Sequence, residues 1–142
     1  MASDLKKWDV LRKPIRLFSK GISVPIGLND TFGPRTTIID ARDLGYAQLI
    51  LEGMVDSRSG TFASGETVTV RHICVYDDGS EDYVDRSYTT TGSAGYSAAG
   101  LNAEFYNFRH NTKIPVAFVV QAKTNMASTS VTLTVFAMGW VW

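Results

Sequence analysis

The sequence has few of the side chains that form reactive centres. It contains a single cysteine, Cys74, and two histidines, His72 and His110. One cysteine cannot form an intramolecular disulfide, so the fold does not depend on an oxidising compartment. Cys74 lies within an apolar strand pattern, where a free thiol packs as a small hydrophobic group. We therefore expect this cysteine to be buried and unreactive.

The chain also lacks an excess of charge of either sign and a long apolar run. Its 14 lysine and arginine residues balance its 14 aspartate and glutamate residues. A balanced charge removes the general attraction that draws proteins to nucleic acids or to anionic membranes. No segment is apolar enough to span a bilayer, and the charged N-terminus lacks the apolar core of a signal peptide. The sequence predicts a protein made in the cytoplasm, with no membrane or nucleic-acid partner.

Catalytic constellations are lacking as well. A serine or cysteine hydrolase needs a histidine beside its nucleophile, and neither histidine lies near a recognisable nucleophile turn. Gly92, Gly95 and Gly100 do not form a phosphate-binding loop, because no lysine and no helix follow them. We expect structural or surface histidines, no enzymatic activity, no catalytic residues and no cofactor.

Five carboxylates surround one predicted hairpin tip: Asp77, Asp78, Glu81, Asp82 and Asp85. Paired carboxylates can hydrolyse glycosides, but a hairpin tip does not enclose a substrate. Asp78, Ser80 and Asp82 alternate like oxygen ligands of calcium, although Tyr83 stands where an EF-hand loop needs glycine. Three interpretations stay open: a solvated turn, which we favour, a calcium site, and a contact with a basic partner.

From Gly21 onward, alternating apolar and polar segments are separated by glycine, serine and aspartate turns. We count about eight strands and no helical stretch longer than the N-terminal arm, a pattern typical of sandwiches and jelly rolls. The sequence predicts an all-β antiparallel sandwich over residues 21–142. The clearest predicted strands are 36–40, 46–55, 66–76, 81–90, 105–108, 114–123 and the C-terminal segment from Val131.

The alternation also predicts which residues face the core. In the segment 66–76, the core side carries Val68, Val70, Cys74 and Tyr76. In the segment 46–55, one face carries Ala47, Leu49, Leu51 and Val55. The segment 114–123 is apolar on both faces, which indicates a central strand or a subunit contact. Between the predicted strands 66–76 and 81–90, the Asp-Gly pair at residues 78 and 79 predicts a tight turn.

Residues 1–20 form a basic arm by composition. They hold six basic and two acidic side chains, a local net charge of plus four. Ser3 could cap a short helix that Pro14 ends, but such a helix is too short to be stable alone. The apolar residues of the arm pack either on their own sandwich or on a neighbouring subunit.

Aromatic residues offer further contact surface. A free terminus rarely ends in two tryptophans, so Trp140 and Trp142 belong either to the core or to a subunit interface. Tyr88, Tyr96 and Tyr106 could stack on sugars.

Four segments together resemble the small jelly-roll structural proteins of tailed bacteriophages, over about three quarters of the chain. They are residues 39–51 (IDARDLGYAQLIL), 64–70 (SGETVTV), 76–80 (YDDGS) and 131–137 (VTLTVFA). In those proteins an aspartate-led strand entry precedes a hairpin with an Asp-Gly tip. A tryptophan often follows that turn, where this chain has Tyr83.

The resemblance implies a virion accessory protein on the capsid surface, of the head decoration or cement type. Its implied partners are the major capsid protein and copies of itself, as a homotrimer, after synthesis in the host cytoplasm. The expected protein-interface residues are Leu5, Lys6, Lys7, Trp8, Leu11, Arg12, Lys13, Phe18, Trp140 and Trp142.

Two alternatives stay open. The first is a carbohydrate-binding or tail-associated receptor module, in which the three tyrosines bind a glycan. The second is a tail or connector component, which shares the same strand and turn pattern.

Overall fold

A computed structural model describes residues 15–42, 49–90, 96–97, 100–104 and 112–141, with backbone only at 15–18, 49–52, 96, 101–104 and 140–141. The strands in these ranges are β1 Ile15–Val24, β2 Ile26–Gly27, β3 Thr36–Asp40, β4 Leu49–Ser59, β5 Thr61–Phe62, β6 Thr67–Tyr76, β7 Glu81–Thr89, β8 Tyr96–Ser97, β9 Gly100–Glu104, β10 Pro115–Thr124 and β11 Thr132–Val141. Eight of these strands have five or more residues, in agreement with the sequence prediction.

The eight long strands form two sheets with a jelly-roll order. Sheet A has the order β1-β11-β4-β9, and sheet B has β3 and the short β2 on one side of β10, followed by β6 and β7. When the two-residue strands are left out and the eight long strands are numbered along the chain, sheet A has the order 1-8-3-6 and sheet B has the order 2-7-4-5. Each sheet thus alternates strands from the two halves of the chain, as in a jelly roll. The predicted all-β sandwich is confirmed.

The core lies between the two sheets. The predicted core side of β6 is confirmed, because Val68, Val70, Cys74 and Tyr76 are all buried there. Sheet A contributes alternate residues of β11 and β4 to the same layer. Its buried residues include Met54, Leu133, Val135 and Ala137.

At the C-terminal end of β4, the polar residue Asp56 faces the core and the apolar residue Val55 does not. Val55 is only half-buried, whereas its neighbours Met54 and Asp56 are buried. Alternation of apolar residues would place Asp56 outside, but this carboxylate finds hydrogen-bond partners within the core. A buried charge is tolerated when it is paired in this way.

Strand β10 is a central strand of sheet B, which is one of the two interpretations that its sequence left open. It pairs with β6 on one side and with β2 and β3 on the other. Phe118, Val120 and Ala122 belong to the main core. A second buried cluster contains Ile73, Val75, Val116, Ala117 and Val119. Strict alternation would put Val116 on the same face as Phe118, but the register shift between Pro115 and Ala117 places it in this second cluster.

The described structure begins at Ile15, so it includes the last six residues, 15–20, of the predicted arm. Residues 15–20 belong to β1, which pairs antiparallel with β11 from Ile15↔Val141 onward. Residues 1–14 lie outside the described residues, as does the predicted strand at 105–108. Just before that predicted strand in the sequence lies β9, which pairs with β4 through Met54↔Glu104.

The buried Glu66 is hydrogen-bonded to the loop before β6, to the end of β10 and to the loop after β10. Its carboxylate accepts hydrogen bonds from the Ala63 amide (2.9 Å) and from the hydroxyls of Thr124 (2.7 Å) and Thr129 (2.6 Å). Its carbonyl oxygen accepts the amide proton of Thr90 just after β7. Desolvation opposes ionisation, but the three donors outweigh it and hold the pKa of Glu66 below its usual value.

Candidate interaction surfaces

Strand β7 is an open edge of sheet B. It follows the Asp77–Ser80 turn, in which Gly79 has a φ of 83°. In the described part of the chain, β7 pairs only with β6. Every residue from Glu81 to Ser87 is exposed, and Tyr83 and Val84 are the most exposed apolar side chains of the strand, at 58% and 41%. Edge strands that are this open can accept another strand.

Two hydrogen bonds show which backbone groups of β7 face outward. The Tyr76 amide donates to the Ser80 carbonyl at one end of the hairpin, and the Thr90 amide donates to the Glu66 carbonyl at the other. The β6–β7 register runs between them without a shift. Since antiparallel pairs alternate, the even-numbered residues of β7 bond to β6, and the odd-numbered residues direct their backbone groups to the open edge.

On the outer face of sheet B, Arg71 is held between two aromatic rings. Its guanidinium carbon lies 3.9 Å from the ring centroid of Tyr83 and 4.3 Å from that of Phe32. Two hydrogen bonds of 2.8 and 2.9 Å also join it to the Asp85 carboxylate. These bonds hold the pKa of Asp85 below its usual value. The arrangement fixes Tyr83 and Asp85 as a rigid, exposed pair.

The loop after β2 places Phe32 in this stack. Gly33 donates its amide to the Ala122 carbonyl and accepts from the Gln121 side chain. Lys123 lies 4.9 Å from the Phe32 ring centroid, and its ammonium is 3.2 Å from the Asp30 carboxylate. The outer face of β10 and β6 therefore carries an ordered layer of aromatic and charged side chains.

The five acidic residues of the hairpin turn to different partners. Asp77 accepts the amide of Ile114, Asp78 accepts from Ser80, and Asp82 accepts the Tyr76 hydroxyl at 2.7 Å. Glu81 is bonded to Arg35, and Asp85 to Arg71. Within the described ranges, no three His, Cys, Asp or Glu side chains are close enough to hold a metal ion. The five carboxylates thus have separate hydrogen-bond partners.

Sheet A also exposes an apolar side chain on its outer face. Phe136 of β11 is 42% exposed. A Cβ at Gly21 would lie 2.7 Å from the Phe136 ring, so the bulge of β1 and its glycine make room for this ring. The half-buried Val55 is the β4 residue directly opposite Phe136. The outer faces of both sheets thus offer apolar contact area.

A shallow groove lies where the chain crosses from β1 to β2. Its volume is about 420 Å³. The lining residues are Ser23, Val24, Pro25, Ile26, Leu28, Ser128, Thr129, Val131, Thr132 and Leu133. None of these side chains is charged, so the groove suits an apolar group better than an ionic ligand.

A polar cluster inside the sandwich was not predicted. The His72 Nε2 atom lies 3.0 Å from the Asp56 carboxylate, and the Tyr88 hydroxyl donates to the same carboxylate at 3.2 Å. Arg58 lies over the Tyr88 ring, with its Cζ 3.6 Å from the centroid. His72 is buried, as a structural histidine would be.

This cluster changes the predicted sugar platform. The Tyr88 ring is half-buried and packs on the core under Arg58, so it does not stand on the surface with other tyrosines. Tyr106 and the side chain of Tyr96 lie outside the described residues. The exposed tyrosine of the described surface is Tyr83.

Most of the predicted interface residues cannot be placed. Leu5, Lys6, Lys7, Trp8, Leu11, Arg12, Lys13 and Trp142 lie outside the described residues. Phe18 and Trp140 are described by their backbone, which pairs Phe18 with Met138 and Arg16 with Trp140. The two residues therefore lie on adjacent strands near one end of sheet A, and their interface role stays a prediction. The described ranges also contain no helix with the length and apolar character needed to cross a membrane.

Comparison with known proteins finds a likeness among solved structures. No family model and no curated protein matches the chain. The chain is similar to one in the structure of infectious bursal disease virus, Gx strain, with a TM-score of 0.47 and 14% sequence identity. The likeness covers 92% of this chain and 32% of the other, so this chain spans about a third of that length.

Proposed function

We propose that the chain is a non-enzymatic structural protein of a virus particle, and that it decorates or cements the capsid. In this proposal the sandwich stands on the assembled shell and contacts neighbouring subunits through its sheet surfaces. A protein that binds only the assembled shell stabilises it by mass action against disassembly. The major capsid protein and further copies of the chain are the proposed partners, with a homotrimer as the proposed assembly.

The observation that supports this proposal most is the location of the exposed apolar side chains. Tyr83 and Val84 stand on an open strand edge, and Phe136 stands on the outer face of the opposite sheet. Exposed aromatic residues on flat surfaces are typical anchors of protein contacts. A jelly roll is a fold used in viral capsids and in lectins, so the fold supports the proposal by analogy.

The interior supports a non-catalytic role. His72 has no exposed surface and is engaged by Asp56, so it cannot reach a substrate in solution. Burial raises the pKa of the Cys74 thiol to about 12, which disfavours the reactive thiolate. Both side chains are part of the packed core.

The basic arm is the proposed tether to the shell. Its tryptophan and leucines, Trp8, Leu5 and Leu11, would supply apolar anchors, with basic neighbours at Lys6, Lys7, Arg12 and Lys13. Phe18, Trp140 and Trp142 are proposed to extend this contact from the adjoining end of sheet A. The arm precedes β1, so it would leave the sandwich near the β1–β11 edge.

Reconstitution on particles tests the proposal. Particles assembled without the chain are mixed with purified protein and separated on a density gradient. We expect the full-length protein to sediment with the particles and to raise the temperature at which they release their genome. Removal of residues 1–13 should abolish binding while leaving the circular dichroism spectrum unchanged. Retained binding of the truncated protein would refute the tether, and no binding of either protein would refute the capsid role.

A glycan-binding module is the second candidate, supported by the exposed Tyr83 beside Asp85. An aromatic face next to a carboxylate can stack on a sugar ring and accept its hydroxyl protons. Saturable binding to a glycan array that is lost in Tyr83→Ala and kept in Phe136→Ala would favour this candidate. Binding that survives Tyr83→Ala would count against it.

A further inference from the structure

We propose that two copies of the chain join edge to edge through β7, so that sheet B continues across a two-fold axis at Val84. Strand β7 is nine residues long, pairs within the described ranges only with β6, and is exposed from Glu81 to Ser87. Its outward backbone groups lie at alternate positions and need a partner or water. This contact goes beyond the proposed capsid role and does not depend on it.

The sequence of β7 is complementary to itself in one register. An axis through Val84 perpendicular to the sheet pairs Val84 with its own copy. The same axis places Asp82 opposite Arg86 and Tyr83 opposite Asp85, each pair occurring twice. Opposite charges that face each other across strands stabilise a sheet, and the exposed Val84 side chains pack at the centre. Each copy therefore supplies both halves of every contact, as a two-fold interface requires.

Neighbouring registers lose this complementarity. Moving the axis to Tyr83 places Glu81 opposite Asp85, and moving it to Asp85 places that carboxylate opposite its own copy. Like charges directly opposite each other destabilise a strand pair. Registers that differ by an odd number of residues would place outward side chains opposite inward ones, so they are excluded by the pleat.

The backbone geometry fits the same register. Tyr83 and Asp85 both direct their amide and carbonyl groups to the open edge, so opposed copies can exchange two hydrogen bonds per pair. Glu81 and Ser87 form a further pair of this kind. Val84 bonds to β6 instead, so its pair across the axis is of the closer, non-hydrogen-bonded type with Cα atoms about 4.5 Å apart.

Structure around β7 prepares it for this contact. Arg71 holds Tyr83 and Asp85 together on the outer face, which fixes two side chains of the proposed pair before association. The Tyr76 hydroxyl holds the Asp82 carboxylate at 2.7 Å. Side chains that are already ordered lose less entropy when they enter an interface.

Disulfide trapping tests the axis directly. In full-length Val84→Cys, the Cα atoms of the two new cysteines would lie within the separation that a disulfide spans, about 4.4–6.8 Å. We expect a covalent dimer on mild oxidation. Ser87→Cys is the matched control, because its two copies would lie about 20 Å apart along the strands and should stay unlinked. The buried native Cys74 does not compete. Equal cross-linking of both variants, or of neither, would overturn the proposal.

Charge exchange tests the register independently. Light scattering of the wild-type protein should show an even number of subunits, which is six when two of the proposed trimers are joined, and Asp82→Arg and Arg86→Asp should each lower the mass twofold. Mixing these two variants should restore the lost contact, because every opposed pair in the mixed dimer again has opposite charges. Asp78→Arg makes the same charge change off the strand and should keep the wild-type mass. Masses that do not change in either variant, or a mixture that stays dissociated while both variants are folded by circular dichroism, would overturn the proposal.

Discussion

His72 and Asp56 come from opposite sheets and meet in the middle of the sandwich. The His72 Nε2 atom lies 3.0 and 3.2 Å from the two Asp56 carboxylate oxygens, and both side chains are buried. The Tyr88 hydroxyl donates to the same carboxylate. This pair joins β6 of sheet B to β4 of sheet A by a buried polar contact.

Loss of the Asp56 carboxylate should strongly destabilise the fold. Asp56→Ala leaves the His72 imidazole and the Tyr88 hydroxyl without their buried acceptor, which should lower the free energy of unfolding by about 3–5 kcal/mol. Urea denaturation followed by circular dichroism measures the effect. Asp40→Ala, which removes the surface partner of Arg42, is the control and should cost about 1 kcal/mol or less. Equal losses in the two variants would show that the buried pair has no special role.

Glu66 should make stability depend on acid pH. Its pKa is lower in the folded chain than the ordinary value of 4.5, because three hydrogen-bond donors outweigh desolvation. The carboxylate therefore contributes stability above pH 4.5, and this contribution is lost as pH falls through the folded pKa. Glu66→Gln should be less stable than the wild type by about 1–3 kcal/mol at pH 7.

That difference should shrink as the pH falls below 4.5. Other carboxylates with lowered pKa values, such as Asp85, titrate in both proteins, so the difference isolates Glu66. Urea denaturation at a series of pH values provides the comparison. A difference that stays constant from pH 7 to pH 3 would contradict the assignment.

Cys74 should be inert in the folded protein. Burial, the largest cause, raises its pKa to about 12, and the side chain has no exposed surface. A thiol reagent at pH 8 should label the native protein far more slowly than the protein in urea. Equal labelling rates would show that the core around β6 opens readily. The result also tests the expectation, drawn from the sequence, that this cysteine packs as a core residue.

Gly60 should tolerate a side chain less well than Gly79. Both have positive φ values, 93° and 83°, so alanine adds backbone strain at either position. A Cβ at Gly60 would in addition lie 2.1 Å from the Ser130 carbonyl oxygen, whereas Gly79 has open space around it. Thermal unfolding should therefore show a larger fall in melting temperature for Gly60→Ala than for Gly79→Ala. Equal shifts would contradict the close approach of the β4–β5 turn to Ser130.

The parts of the fold that depend on local pattern could be predicted from the sequence. Period-two alternation identifies β6 and its core residues, and the Asp-Gly pair identifies the turn before β7. The boundaries of β3 agree with the sequence prediction, because the turn residues Gly33 and Pro34 come before a short β-branched run that ends in Asp40.

The errors arise where tertiary contacts override local pattern. Asp56 is a buried carboxylate whose hydrogen-bond partner, His72, lies in the other sheet and 16 residues away in the sequence. The start of β1 depends on its pairing with β11 at the other end of the chain. The stack of Phe32, Arg71 and Tyr83 joins a loop to two strands, and no local signal in the sequence brings these three side chains together.

The amount of this chain in purified virus particles tests the central claim most directly. Particles from cells that encode the chain are purified through a density gradient, and quantitative mass spectrometry measures the ratio of the chain to the major capsid protein. The proposed capsid role predicts a fixed ratio in the particle peak that persists through repeated gradients. A chain that stays in the soluble fraction and is missing from the particle peak would contradict it.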